Sequence, residues 1–112
     1  MVRQIEHLGS ELAKYQRVKM NPFVREFDMG LVQPLSRSVR LNGFATCLRL
    51  EQVYWDILAR MATINSCSVS ALLSYVDREV RLRHGGVKNF SGLIRVVCVV
   101  HSLNEGAFSA QD

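Results

Sequence analysis

A chain of 112 residues with 48% apolar content is one domain with a core to bury, and nothing in it points to two. Its three cysteines, Cys47, Cys67 and Cys98, are odd in number and far apart, which excludes a disulfide framework or a zinc knuckle and reads as reduced thiols. The formal charge of +4 admits a polyanionic partner, and Arg3, Glu6 and Glu11 interrupt the N-terminal apolar residues, so a signal peptide, a membrane span and any membrane partner are not expected and the expected location is cytoplasmic.

In chain order, Ile5, Leu8, Leu12 and Tyr15 recur at helical spacing and predict a short amphipathic helix over 3–16. From Asn21 to Pro34 both prolines and Gly30 predict a loop or extended arm. Residues 1–36 are therefore expected to form an N-terminal extension. Between Ser38 and Leu50 the pattern alternates, first with Val39 and Leu41, then with Phe44, Thr46, Leu48 and Leu50. Asn42-Gly43 switches the phase, as a bulge or a turn would. The second half is the better strand.

A helix is predicted from Glu51 to near Asn65, with Val53, Ile57, Leu58, Met61 and Ile64 as its stripe and Tyr54 and Trp55 on the flanks. Ser68 is the N-cap of a second helix, with stripe Val69, Leu72, Leu73, Val76 and Val80, stopped by Gly85-Gly86. A third apolar segment follows Ser91 through Leu103. Its valine-rich part, 94–100, fits a buried helix or a buried strand. The tail 105–112 is small and polar and is expected to be flexible.

Charge is uneven along the chain. Residues 37–50 carry Arg37, Arg40 and Arg49 with no acid, whereas 51–77 carry Glu51, Asp56 and Asp77 against Arg60 alone. The positive field therefore belongs to the extended segment. A lone strand leaves its backbone groups unpaired, so a second copy is expected to supply the partner. In such a two-fold antiparallel pair Leu48 and Leu50 face the helices while Ala45, Cys47 and Arg49 face outward.

The run from Val39 to Glu51, followed by Tyr54-Trp55, then Ser68-Val69-Ser70-Ala71-Leu72 and Asn89-Phe90-Ser91-Gly92-Leu93-Ile94-Arg95-Val96, resembles the bacterial ribbon-helix-helix proteins of the Arc/MetJ superfamily. The likeness covers about residues 37–103. It implies a mostly α fold with one short strand per chain: a ribbon-helix-helix dimer with an intermolecular antiparallel two-stranded ribbon. The domain at 37–104 adds a C-terminal helix, so the third segment is helical, and follows an N-terminal helical extension.

The resemblance further implies that Ala45, Cys47 and Arg49 read bases in the major groove, Arg49 by a bidentate contact to guanine. It also implies that the N-terminus of the second helix, Ser68, Val69 and Ser70, clamps a phosphate, for which free N–H groups and the helix dipole give a physical reason. Arg37 and Arg40 lie just before the strand, within reach of phosphates. Against these readings stand plainer ones. Arginine on an exposed strand also serves solubility, Ser68 is first a helix cap, and Tyr54 and Trp55 belong to a core before any base-stacking platform.

His7, His84 and His101 are scattered, and no phosphate loop, nucleophilic triad or paired carboxylates are present, so no catalysis, metal or cofactor is expected. The expected function is a homodimeric DNA-binding transcriptional regulator, a repressor, acting on double-stranded DNA. The alternative is a protein-binding module, an antitoxin-type or phage adaptor, that captures a protein partner through residues 1–36. A third reading has the long apolar third helix building an oligomer higher than a dimer.

Overall fold

The structure is a computed structural model that describes residues 28–111, with side chains through Glu105. A 3₁₀ turn at Met29–Val32 leads into two antiparallel strands, β1 (Pro34–Leu41) and β2 (Phe44–Glu51), and then three helices, α1 (Gln52–Ile64), α2 (Val69–His84) and α3 (Phe90–Gln111). The helix predicted over 3–16 lies outside the described residues.

The expectation of one strand per chain is corrected. The chain pairs β2 with its own β1, from Pro34↔Glu51 to Leu41↔Phe44. Asn42 and Gly43 form a two-residue turn with φ of 51° and 91°, the left-handed pair that matches the twist of a hairpin. Residues 34–36, read as arm, are the first residues of β1. Pro34 is tolerated there because pairs alternate between bonded and non-bonded along such a ladder. Counting from the turn, the bonded pairs include Leu35↔Leu50, and the Gln52 N–H donates to the Gln33 carbonyl at 2.8 Å in the same phase. Pro34, between them, has no donor to lose.

Alternation sorts the hairpin into two faces. Val39, Leu48 and Leu50 are buried against the helices with Trp55, Leu58, Leu73, Ile94 and Cys98. Trp55, expected on a helix flank, is 2% exposed, and its Nε1 donates to the Leu35 carbonyl at 2.9 Å. The core thus binds β1 as well as β2. Ile64, expected in the stripe, is exposed.

Ser68 caps α2, its Oγ accepting from the Ala71 N–H at 3.0 Å. Gly85 ends the helix at φ 74°, donating to the Arg81 carbonyl. The valine-rich third segment is helix, and the helix continues to Gln111 through most of the tail expected to be flexible. Asn89 caps it, Oδ1 accepting from the Gly92 N–H at 2.9 Å. Its Ile94 and Cys98 are fully buried, while Val96, Val99, Val100 and Leu103 are exposed along one stripe. Among the described residues no single helix is long and apolar enough to cross a membrane.

Candidate nucleic-acid interface

The face of the hairpin turned away from the helices carries Ser36, Ser38 and Arg40 from β1 and Ala45, Cys47 and Arg49 from β2, all exposed. Register makes them neighbours: Ser36 opposes Arg49, Ser38 opposes Cys47, and Arg40 opposes Ala45. The result is a flat patch of small side chains with an arginine at opposite ends of the two strands. Glu51, next along the same alternation, turns its carboxylate to Arg95 on α3, at 2.7 and 3.2 Å. That hydrogen bond is the largest cause holding the Glu51 carboxyl below its ordinary value. Among the described residues no ion pair engages Arg40 or Arg49.

Three residues singled out in the sequence, Ala45, Cys47 and Arg49, therefore share one exposed face, and Arg40 joins them. Arg37 does not. It opposes buried Leu48 on the other face, and its guanidinium lies over the Trp55 ring, 5.1 Å from the centroid. At the start of α2 the backbone N–H groups of Val69 and Ser70 lie in the first turn, where no intrahelical acceptor exists.

Sequence reasoning missed how the hairpin is fixed. The Asn42 N–H donates to Ser74 Oγ at 3.1 Å, and Ser74 Oγ donates to the Arg40 carbonyl at 3.0 Å. Asn42 Nδ2 donates to the Ser74 carbonyl and to Asp77 Oδ2, at 3.2 and 3.1 Å. Asp77 is 8% exposed and also accepts from Arg81 Nε at 3.2 Å. An acid on the apolar side of α2, next to Val76 and one turn after Leu73, was the available signal, since a buried carboxylate requires partners. The latch pins the tip of the hairpin to the middle of α2. Ser74 follows Ser68 by about 9 Å along the helix axis, which places the tip of the ribbon less than two turns from the N-terminus of α2.

The latch also makes the two edges of the sheet unequal. The Arg40 carbonyl on the outer edge of β1 is taken by α2. The bonding phase turns the backbone groups of Ala45, Cys47 and Arg49 toward the other edge, that of β2. There an open groove runs between Thr46, Cys47 and Arg49 on one side and Arg81, Lys88 and Asn89 on the other. Phe44, on the core-side face of the hairpin, is 75% exposed. Among the described residues no three metal-ligating side chains gather.

The profile of a family described as ribbon-helix-helix domain matches residues 34–102, so the match begins with the strand that the sequence had hidden. No curated protein matches the chain. Among solved structures the chain is similar to an uncharacterized protein from Bordetella pertussis Tohama I. The two share 29% identity and a TM-score of 0.70, over 79% of this chain and 73% of that one.

Proposed function

Since the chain belongs to the ribbon-helix-helix family, we propose that it is a homodimeric DNA-binding transcriptional regulator, a repressor, whose two β2 strands pair across a two-fold axis and enter the major groove. The observation that carries this reading is the open edge of β2. An unpaired strand edge is a template for another strand, and on β1's edge the Arg40 carbonyl is already taken by Ser74. Antiparallel pairing of two copies gives the sheet order β1-β2-β2-β1 and covers Phe44, which otherwise leaves an aromatic ring in water. The central pair then presents Ala45, Cys47 and Arg49 from each copy. Arg49 supplies a bidentate contact to guanine, worth about 1–3 kcal/mol of discrimination. Ala45 and Cys47 are suited to thymine methyls rather than hydrogen-bonded readout, and the N-terminus of α2 at Ser68, Val69 and Ser70 holds a phosphate.

Two measurements test it. In a gel shift at several salt concentrations Arg49→Ala weakens binding to the preferred duplex; unchanged affinity overturns ribbon readout. The second locates the axis. With the three outward residues of β2 centred on it, Cys47 opposes its own copy at a Cα separation of about 5.5 Å, within the span of a short thiol-specific bifunctional reagent. Cys98 is buried and its thiol is pushed up to about 11, so it stays unreactive. In a Cys67→Ser background, such a reagent therefore cross-links the dimer through Cys47, and no cross-link places the axis elsewhere.

A second reading adds assembly beyond the dimer, favoured by the exposed stripe on α3. The protein-capture alternative loses residues 34–36 from its extension, because they form part of β1.

A further inference from the structure

In the dimer just proposed each copy brings two strands, not one, and the extra strand is too far out to share the groove. Strands lie about 4.8 Å apart, so the outer axes of a β1-β2-β2-β1 sheet are about 14 Å apart. The major groove is about 12 Å wide and admits a two-stranded ribbon. The central β2 pair fits; the flanking β1 strands meet the groove's walls, which are phosphate.

We propose that β1 is a backbone rail: Arg40, helped by the hydroxyls of Ser36 and Ser38, grips the phosphates on either side of the groove that the β2 strands enter. This rests on the ribbon reading above. The composition of β1 fits the task. Its outward residues are one arginine, two serines and Pro34, all exposed and with no acid among them. The arginine and the serines are groups that donate to phosphate oxygens without distinguishing one base from another. Arg40 is also held where a rail must be rigid. Its carbonyl accepts from Ser74 Oγ, and two residues later Asn42 is tied to Ser74 and Asp77, so the strand end that displays the guanidinium is fixed to α2. Arg37 takes no part, being stacked on Trp55 on the other face.

Two contacts of the same chemistry on one sheet are thus given opposite roles, and salt separates them. The probes are the duplex selected by the wild-type protein from a randomised pool and a shuffled duplex of the same composition. Arg40→Ala is expected to weaken binding to both by the same factor and to flatten the slope of log affinity against log salt by about two per dimer, one for each copy. Arg40→Lys keeps the charge and restores the slope. Arg49→Ala is expected to shrink the ratio between the two duplexes. The rail is overturned if Arg40→Ala shrinks that ratio as Arg49→Ala does, since β1 would then be in the groove, or if it leaves the slope unchanged, since β1 would then be off the DNA. Wild-type protein that binds neither duplex brings down the ribbon reading itself. Circular dichroism confirms that each variant keeps its fold, as expected for an exposed side chain.

Discussion

Gly43 holds a φ of 91° beside Asn42 at 51°, and on these two residues the whole hairpin turns. A Cβ at position 43 would meet nothing within 4 Å, so the cost of Gly43→Ala is backbone strain alone, about 1–2 kcal/mol. Thermal unfolding of the variant is expected to fall by several degrees, as that cost implies for a domain of this size; an unchanged midpoint would mean that the turn does not constrain the fold. Asn42-Gly43 was visible in the sequence as a change of phase, but a bulge and a turn produce the same pattern. The choice depended on whether residues 34–41 form a strand, and two of them disguised it. Pro34 reads as a loop residue, yet it sits at a pairing position that needs no donor. Arg37 breaks the apolar alternation, yet its guanidinium is accommodated over Trp55.

Among the elements, α3 is joined to the β2–α1 junction by Glu51 and Arg95, and the same guanidinium lies 5.9 Å from the Tyr54 ring centroid. The Arg95 hydrogen bond, aided by backbone bonding, holds the Glu51 carboxyl below its ordinary value of 4.5. A carboxylate with a depressed folded value contributes stability above its unfolded value and loses it as pH falls through the folded one. Wild-type protein is therefore expected to lose more of its urea midpoint between pH 7 and pH 3 than Glu51→Gln. Both side chains are about one-third exposed, at 31% and 33%, so solvent screening keeps the difference small. Identical pH profiles would uncouple the pair from folding. The first two helices were legible, because the apolar stripes, Ser68 and Gly85-Gly86 each act within a turn or two of their own position. The cap of α3 was not read: Asn89 starts that helix at Phe90, before the serine at which the sequence placed its start.

For the whole molecule, the stripe of Val96, Val99, Val100 and Leu103 is 46–67% exposed along α3, at the i, i+3, i+4, i+7 spacing by which helices pack on one another. If α3 joins dimers, sedimentation of wild-type protein is expected to give a mass above a dimer, and Val99→Glu with Leu103→Glu is expected to return it to a dimer that still shifts DNA. Wild-type protein that sediments as a dimer removes this second reading and leaves the ribbon untouched.

By itself the sequence determined the first two helices, their order, the strand that carries Ala45, Cys47 and Arg49, and the acid-free stretch around them. These follow from periodicity, capping and charge, which act between near neighbours along the chain. The tertiary structure alone decided the partner of that strand, the face on which each arginine lies, and where α2 holds the outer edge of the sheet. The first two follow from the hairpin register and the Arg37–Trp55 stack, and the last from contacts more than thirty positions apart: Asn42 with Ser74 and Asp77, and Arg40 with Ser74. No local pattern encodes such a meeting, because a serine within α2 looks the same whether its hydroxyl faces water or holds a hairpin in place.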